Sequence, residues 1–495
     1  MRSPFDPQLR LGGCSIPAVE LNLKCRDEII PILAALQPIY SNRKLRRAIL
    51  KLVARDVNGS SSARRGRKGM DYWQILVLAA VRLGCTLDYD KLQDLAEQHR
   101  SLRLIMGLSR WDEHVEFDWR RIQDNLCKLR PETVTAISNL IVEEGHRLVP
   151  DAARSVRGDS FACRTNVHYP TESSLIGDGL RKILDIAPRV AEAVGAAGWR
   201  QHRHLRKKLR RLLYGVSKAY ASRARDRDKR RRDACEDLFA LAKGLLGRAV
   251  GLHQQATAFV AGRRGMGDWA VEEQCRQLRH FVLTTEKVLG YAYRRVILGE
   301  TIENSEKPFS VFETYTQLIY RGTKRAPIEF ARRILVIEDG AGFVCHHKVM
   351  EVGEEDVDVV VPEMRALQER LEGRIERASF DRGFHSPENQ IALAEIVRHP
   401  CLPKKGKHQR ADQEREATVE FRAARQRHRG IESAIGVLES ANGLERCRDR
   451  TFTGYKRYVA LGVLGRNLHV LGKIAIALGD ATALAAHSKR KRAAG

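Results

Sequence analysis

Apolar positions in the first 150 residues are spaced as on one side of a helix. They recur through Asp71 to Leu83 and again through Tyr89 to Glu97. The segment between them, Gly84-Cys85-Thr86-Leu87, has the length and the glycine of a tight turn, and Asp88 can cap the second helix. A helix, a tight turn and a second helix occur in DNA-reading units and also in ordinary helical bundles. We therefore predict a helical domain over residues 1–150 and keep both interpretations of it.

Two features favour DNA binding by this domain. A basic run precedes the helices, and phosphate contacts need cations beside the element that reads the bases; its cations are Arg64, Arg65, Arg67 and Lys68. The second helix can pack one face inward and turn the other to the bases. Its candidate reading side chains are Lys91, Gln93 and Gln98.

The pattern changes at Ala152. Residues from Val156 to Val167 alternate as in a strand, and residues 172–325 have helical spacing. Within this insertion the segment Arg200 to Arg232 holds fifteen Lys or Arg and only two acids. Charge of nearly one sign is unfavourable unless an anion neutralises it, so we predict a contact with the DNA backbone rather than a solvated helix face. The candidate contacts are Arg206, Lys207, Lys208, Arg210 and Arg211.

Strand and helix patterns alternate after residue 326. The predicted elements are strands at Pro327 to Ile337, Gly342 to Val352, Arg374 to Phe380 and Pro400 to Pro403, with helices at Asp356 to Leu371, 387–397 and about 415–478. Cys345, His346 and His347 lie on one predicted strand, and no second ligand pair follows them, so we interpret them as strand residues. The fold class is mixed α/β: a helix-covered mixed sheet with the layout of a ribonuclease H-like domain over 151–171 and 326–478. Residues 479–495 are predicted to be a basic flexible tail.

Three carboxylates fall at positions of this sheet that favour chemistry. Asp159 interrupts an apolar strand face, Asp381 ends a strand, and Glu432 opens a late helix. An unpaired charge on an apolar face is costly to bury, whereas Asp381 also suits a turn. Two divalent ions held by such carboxylates can activate the attacking oxygen and stabilise the leaving oxygen in phosphoryl transfer. We predict that the three bind two Mg²⁺ or Mn²⁺ ions.

The amino-acid composition indicates the class of partner that the chain binds. The net charge of +26 favours a polyanion such as nucleic acid. The ten cysteines are scattered without a regular framework, as in reduced cytosolic proteins. We find no signal-peptide pattern at the start, and polar residues interrupt the apolar stretch Val459 to Leu478, so we predict no membrane association.

Four blocks resemble those around the three acids of DDE insertion-sequence transposases, most closely the ISNCY group. The blocks are VRGDSFACRTNVHYPTESSLIGDG, APIEFARRILVIED, ASFDRGFHSPEN and RHRGIESAIGVLES. The similarity covers nearly the whole chain, and helices over 70–107 resemble the family's DNA-binding region. The resemblance implies a ribonuclease H-like core, divalent metal, and binding to inverted repeats at the ends of the element. It also implies double-stranded DNA as partner, a homodimer or higher oligomer on DNA, and a cytoplasmic location at the nucleoid.

One region departs from the wider superfamily. Many relatives place Tyr, Arg and Lys around the glutamate where this chain has Arg425, His428 and Glu439. Arg425 and His428, with the neighbouring Arg429, can still donate to phosphate, but Glu439 cannot. Two alternatives to a transposase remain: a ribonuclease H-like nuclease or resolvase without strand transfer, and a non-catalytic DNA-binding protein derived from a transposase.

Overall fold

The computed structural model describes residues 14–59, 69–262, 269–320 and 327–493. The chain divides into two compact units, residues 1–166 with 331–495, and residues 167–330. The predicted basic run Arg64, Arg65, Arg67 and Lys68 lies outside the described residues.

The first unit begins with seven helices among its described residues. They are α1 (Ile29–Ser41), α2 (Arg43–Asn58), α3 (Tyr72–Gly84), α4 (Tyr89–Gln98), α5 (Arg100–Ile105), α6 (Trp119–Leu126) and α7 (Pro131–Leu148). The predicted pair of helices is confirmed as α3 and α4. The predicted cap is also confirmed, because the Asp88 carboxylate accepts a hydrogen bond from the Lys91 N–H at 2.9 Å.

A six-stranded mixed sheet follows. Its strands are β1 (Ser155–Arg164), β2 (Gln317–Tyr320), β3 (Ile328–Asp339), β4 (Val344–Val349), β5 (Arg377–Phe380) and β6 (His399–Cys401). β1 is central, antiparallel to β3 on one side and parallel to β5 on the other. β4 is antiparallel to β3, β6 is parallel to β5, and β2 also pairs with β3. The coarse prediction of a helix-rich mixed α/β chain is therefore confirmed.

Five helices accompany and follow the later strands. They are α12 (Asp356–Arg370), α13 (Pro387–Ile396), α14 (Arg410–Ala417), α15 (Val419–His428) and α16 (Gly430–Ser440). Cys345, His346 and His347 lie on β4 as predicted, where the His346 Nε2 is 2.7 Å from a Glu363 oxygen. Burial lowers the pKa of His347 to about 3, and the nearby His346 and Arg370 act in the same direction. His347 is therefore a neutral strand residue at physiological pH.

The last helix of the chain, α17 (Phe452–Ala493), holds the N-terminal helices and the sheet in one unit. It packs on α1, α3, α7 and β4. A side chain at Gly465 would come within 2.6 Å of the Gly84 backbone nitrogen, and one at Gly472 would collide with the Pro31 carbonyl. The described helices before residue 150 therefore belong to the same compact unit as the later sheet, whereas the sequence predicted a separate domain over 1–150.

α17 also bears on the question of a membrane. Its part Phe452–Gly479 is long and apolar enough to cross a bilayer, yet 67% of its most apolar window is buried inside the protein. Asn467 is fully buried and accepts a hydrogen bond from the Val344 N–H at 2.8 Å. Such a side chain is satisfied by the protein core and would be costly in lipid. The stretch is a packed core helix, as predicted, but the helix continues beyond 478 to Ala493.

The second unit is a helical bundle. It contains α8 (Glu172–Val194), α9 (His202–Ala221), α10 (Arg227–Ala261) and α11 (Trp269–Val296). Leu180, Leu238 and Leu278 are fully buried in its continuous apolar core. A side chain at Gly179 would collide with Thr285, so this glycine permits the close contact of α8 with α11. The bounds of the unit, 167–330, resemble those of the predicted insertion, 172–325, but β2 within it was predicted as part of a helical region.

Candidate active site

Asp159 and Asp381 lie side by side where two parallel strands end their pairing. The last paired residues of β1 and β5 are Gly158 and Phe380. Asp159 follows Gly158 within β1, and Asp381 follows Phe380 just beyond the end of β5. Neighbouring strands are about 4.8 Å apart, so the register brings the two backbones together. A side chain at Gly158 would come within 2.5 Å of the Phe380 ring, so a glycine is required for this register.

Each of these carboxylates is oriented by a backbone amide. The Asp159 Oδ1 accepts a hydrogen bond from the Ser160 N–H at 2.7 Å. The Asp381 Oδ1 accepts one from the Arg382 N–H, also at 2.7 Å, and so caps the short turn Arg382–Phe384. Each side chain keeps its second oxygen for other contacts.

Glu432 is brought to the sheet by a fixed helix junction. It lies in the exposed first turn of α16, which packs on β1. The Arg157 Nη1 donates to the Arg427 carbonyl at 2.9 Å, and a side chain at Gly430 would collide with the same guanidinium. The Arg157 Nε also donates to the buried Glu338 at 2.7 Å. Arg157, two residues before Asp159 on β1, therefore holds the start of α16 against the strand.

Asp356 is a fourth carboxylate of this region, and the sequence patterns did not single it out. It is the first residue of α12, and its Oδ2 would lie 3.5 Å from a side chain at Gly383, in the turn after Asp381. Its Oδ1 is buried without a hydrogen-bond partner among the described residues. An acid at a helix N-terminus is already explained by the helix dipole, so the sequence alone gave no reason to assign it a second role.

The four carboxylates interact through their charges. Burial raises the pKa of Asp159 to about 6, and Asp381, Asp356 and Glu432 add to the rise. The hydrogen bond from Ser160 opposes it only in part. Three acids from other segments of the chain therefore lie near enough to Asp159 for their charges to act on it.

His428 lies on the Asp381 side of this group. Burial lowers its pKa, against the raising effect of the Asp381 charge, and Arg157 and Arg425 also lower it. The His428 Nδ1 is 3.3 Å from the Ser379 hydroxyl. A neutral imidazole at this position can donate or accept a hydrogen bond beside the carboxylates.

The donor set suits a hard cation, but the carboxylates do not form a closed cage. Across the described residues, no group of three or more His, Cys, Asp or Glu side chains is arranged to hold a metal ion. Carboxylate oxygens are nevertheless the ligands that Mg²⁺ prefers. The buried oxygen of Asp356 and the raised pKa of Asp159 mark negative charge that the fold leaves unbalanced. A divalent cation would balance it, so the residues present fit such an ion.

The candidate DNA contacts are distributed over both units. Arg425 and Arg429 are exposed, at the end of α15 and just after it. On α4, Lys91 and Gln98 are exposed, whereas the amide of Gln93 is used by the fold. Its oxygen accepts from the Trp119 N–H at 2.9 Å, and its nitrogen donates to Glu97 at 3.2 Å. Gln93 therefore positions the start of α6 and is a poor candidate for reading bases.

The exposed face of α4 differs in charge from that of α9. Asp90 and Asp94 are exposed on α4 beside Lys91, so that face is not cationic overall. On α9, Arg206 forms an ion pair with Asp185. The next four cations are exposed and make no ion pair with any residue that the structure describes: Lys207, Lys208, Arg210 and Arg211. The stronger electrostatic surface for a polyanion is that of α9.

No protein-family model, no curated protein and no solved structure matches this chain. Its function is therefore inferred from the geometry and charge of the site, together with the resemblance of its sequence blocks.

Proposed function

We propose that this chain is the transposase of an insertion sequence, which cuts and joins DNA strands at the ends of the element. The observation that carries the proposal is the grouping of Asp159, Asp381 and Glu432. The first two adjoin each other on neighbouring strands, and the third acts on Asp159 through its charge. Three carboxylates from distant segments at one point are what two-metal phosphoryl transfer requires.

The sheet order supports the same proposal. The strands run in the order β2, β3, β1, β5 and β6, and β4 also pairs with β3. β4 and β1 are each antiparallel to β3, whereas β5 is parallel to β1 and β6 is parallel to β5. A ribonuclease H-like sheet has this order, and we infer that architecture for the catalytic core. The acids then lie on its central strand, on the neighbouring strand and on a helix packed against the central strand.

Each side chain then has a role in the chemistry. Bound Mg²⁺ or Mn²⁺ would activate the attacking oxygen and neutralise charge on the phosphate. Asp159, Asp381 and Glu432 would hold the ions, and Asp356 would contribute its unpaired oxygen to the same group. Arg157 keeps Glu432 in place through the helix junction. His428, Arg425 and Arg429 lie where they can donate to DNA phosphates.

The partner that we propose is double-stranded DNA, both at the ends of the element and at the target. The unpaired cations of α9 and the net charge of +26 support it. Joining two ends requires at least two active sites, so we also propose a homodimer or higher oligomer on DNA. The protein would act at the nucleoid in the cytoplasm.

The test combines the purified protein, Mg²⁺ and labelled DNA that carries the ends of the element. We expect 3′ ends to be cut and joined to target DNA. Asp159→Asn, Asp381→Asn and Glu432→Gln should each abolish cutting while binding to the ends is nearly kept. Glu395→Gln, an exposed carboxylate on α13, is the matched control and should keep activity. Asp356→Asn tests the fourth acid and should reduce cutting.

The products decide between the proposal and its alternatives. Cutting without joining would make the chain a ribonuclease H-like nuclease or resolvase. Binding without cutting would make it a DNA-binding derivative. Equal loss of binding and cutting in Asp159→Asn would show that this residue is structural.

A further inference from the structure

The helical unit contains a cavity that the proposed chemistry does not use. Its volume is about 500 Å³, within the usual range of ligand pockets, and all its lining residues belong to residues 167–330. Six aromatic side chains line it: Tyr169, Tyr220, Phe239, Tyr291, Phe309 and Phe330. Such a concentration of flat rings is unusual in a chain that is only 6% aromatic.

The rings at one side of the cavity are held in place and partly open to solvent. The Tyr169 ring meets the Phe330 ring edge-on at 5.6 Å between centroids, and Phe330 meets Phe309 at 5.5 Å. Tyr169 is nevertheless 68% exposed. It lies in the segment Asn166 to Thr171, within the sequence block VRGDSFACRTNVHYPTESSLIGDG, and this segment has no part in the carboxylate site.

Polar groups accompany the rings. Arg295 and Glu172 form an ion pair at 2.6 Å at the cavity wall, and the Lys307 Nζ donates to the Asn304 Oδ1 at 3.2 Å. Arg295 and Lys307 supply positive charge, whereas Glu172 and Asn304 can accept hydrogen bonds. An apolar cavity with a few polar groups of both kinds suits a flat, polar, aromatic ligand.

The cationic face of α9 leads to this cavity. Ser217 on α9 lines the cavity, and Arg210 and Tyr214 lie on the same side of the helix at i−7 and i−3. All three are exposed, with Tyr214 at 71%. Seven helical residues span about 10 Å, roughly the rise of three stacked nucleotides. A DNA strand bound through its phosphates to these cations can therefore reach the cavity.

We propose that this cavity receives the base of an unpaired nucleotide, which stacks on Tyr169 while the adjacent backbone follows the cations of α9. The inference rests on the proposed function in one respect, because it takes the strand to be part of the DNA on which the carboxylates act. Base stacking on aromatic rings tolerates any base, so the site recognises an unpaired base rather than a sequence. The segment from Asn166 to Thr171 thereby has a function in substrate binding.

The experiment measures binding of the full chain without divalent metal, so that no chemistry intervenes. Two duplexes of the same mixed sequence are compared, one fully paired and one with a single unpaired 2-aminopurine. We expect the second to bind roughly five- to a hundredfold more tightly, as one stacked base implies. Fluorescence of the 2-aminopurine should be quenched on binding, which reports stacking directly.

Variants separate the cavity from general DNA affinity. Tyr169→Ala should abolish both the preference and the quenching, and because Tyr169 is mostly exposed the fold should be unaffected, as the circular dichroism melting curve will show. Tyr169→Phe keeps the ring and should keep both readouts. Trp269→Ala removes an aromatic side chain that is 76% exposed on α11 and does not line the cavity, and it should also keep both.

Equal affinity for the two duplexes, no binding to either, or a preference that survives Tyr169→Ala would each overturn the inference. Failure of the proposed function has a different result, in which the preference is present but DNA that carries the ends of the element is not cut when Mg²⁺ is added. The two failures are therefore distinguishable.

Discussion

Negative charge around Asp159 exceeds what the fold itself neutralises. Among the residues that the structure describes, the side chain accepts a hydrogen bond from Ser160 alone, while three other carboxylates raise its pKa. By contrast, the buried Glu338 on the neighbouring strand is neutralised by Arg157 and Arg466. A protein under selection for stability alone would not leave one acid paired and the other opposed by like charges. Perturbed pKa values of this kind cluster at functional sites.

This imbalance predicts how stability depends on pH. The pKa of Asp159 is about 6 in the folded protein and 3.8 in an unfolded chain. Between these values the folded state holds a proton that the unfolded state has released, so the free energy of unfolding falls as pH rises through the window. Near pH 7 the loss is on the order of 2 kcal/mol, because solvent screens part of the full effect.

Asp159→Asn removes this loss. Without metal, the variant should be more stable than the wild type at pH 7.5 by about that amount, and equally stable at pH 3.5. Urea unfolding at the two pH values measures the difference. Asp237→Asn, at an exposed position on α10, should show no such pH-dependent gain. A constant difference at both pH values would mean that the charge of Asp159 is not responsible.

A residue of the site could be predicted from the sequence when its type did not fit the pattern of the neighbouring residues. Asp159 stood out because it interrupts an apolar strand. Asp356 did not, since its place at a helix N-terminus is ordinary and its approach to the turn after Asp381 depends on the tertiary fold. Gln93 was wrongly expected to be available for DNA, because the helical pattern places it on the surface of α4. Its amide is hydrogen-bonded to Glu97 and to Trp119, 4 and 26 positions away.

At the level of elements, most strands of the sheet could be predicted from runs of apolar residues. β3 was predicted because it is a largely buried apolar run, β4 because apolar residues flank its two histidines, and α12 because its apolar spacing is regular. β2 was missed because it is only four residues long, is partly exposed and follows a long helical region. Short edge strands depend on pairing with a neighbour, and a local pattern does not contain that information.

The pairing of α3 with the segment before α17 is another tertiary feature. Arg82, in the buried face of α3, donates to both oxygens of Asp449 at 3.2 and 2.5 Å. Its guanidinium also lies 4.0 Å above the Tyr89 ring. Both partners are nearly inaccessible to solvent, so each charge depends on the other.

Asp449→Ala should therefore destabilise the first unit by about 3–5 kcal/mol, because it leaves a buried guanidinium without its partner. The measurement is the shift of the urea unfolding midpoint at constant slope. The double variant Arg82→Met with Asp449→Leu should recover part of the loss, since Arg82 no longer leaves a buried charge without a partner, although Arg457, 3.7 Å from Asp449, still loses its carboxylate. A double variant as unstable as Asp449→Ala would assign the effect to packing or to Arg457 instead of to Arg82.

The exposed cations of α9 predict a non-specific contribution to DNA affinity. Replacing Lys207, Lys208, Arg210 and Arg211 with Gln should weaken binding to specific and random DNA alike, since phosphate contacts carry no base information. The slope of log affinity against log salt should become shallower by up to about 3.6, given roughly 0.9 per lost phosphate contact. Binding is measured by fluorescence anisotropy between about 50 and 200 mM salt, the range over which proteins that bind through phosphate contacts lose most of their affinity.

A matched control removes the same number of charges from other helices of the unit. Lys243, Arg276, Arg279 and Lys287 are exposed on α10 and α11, and their replacement with Gln should leave the slope nearly unchanged. A similar decrease of the salt slope in both quadruple variants would mean that only the total charge determines DNA affinity. An unchanged slope in the α9 variant would leave its cations as an ordinary solvated face.

In the whole molecule, residues 167–330 are inserted between β1 and β3, and they include the short edge strand β2 and the first residues of β3. The pairing of β1 with the rest of β3 and with β5 does not depend on them. Arg164 at the end of β1 pairs with Ala331 on β3, so the chain leaves and re-enters the first unit at neighbouring strands. Paired residues of antiparallel strands are about 5 Å apart. Each unit also has its own buried core, which in the second unit extends through α8, α9, α10 and α11.

This arrangement predicts that the two units fold separately. Replacement of residues 167–330 by a short Gly-Ser linker should leave the first unit folded, because the ends to be joined are already adjacent and the carboxylates all lie outside the deleted segment. Calorimetry of the full chain should show two transitions, and the deletion variant should keep only one of them. The deletion variant should retain weak Mg²⁺-dependent cutting of DNA at low salt and lose most of its affinity at about 200 mM salt, since the unpaired cations of α9 are gone.

A deletion variant that fails to fold, although β1 and the part of β3 from Ala331 onward are kept, would show that the bundle is part of the core of the first unit. A variant that folds, binds DNA at high salt and cuts as well as the full chain would instead remove the bundle from DNA binding altogether.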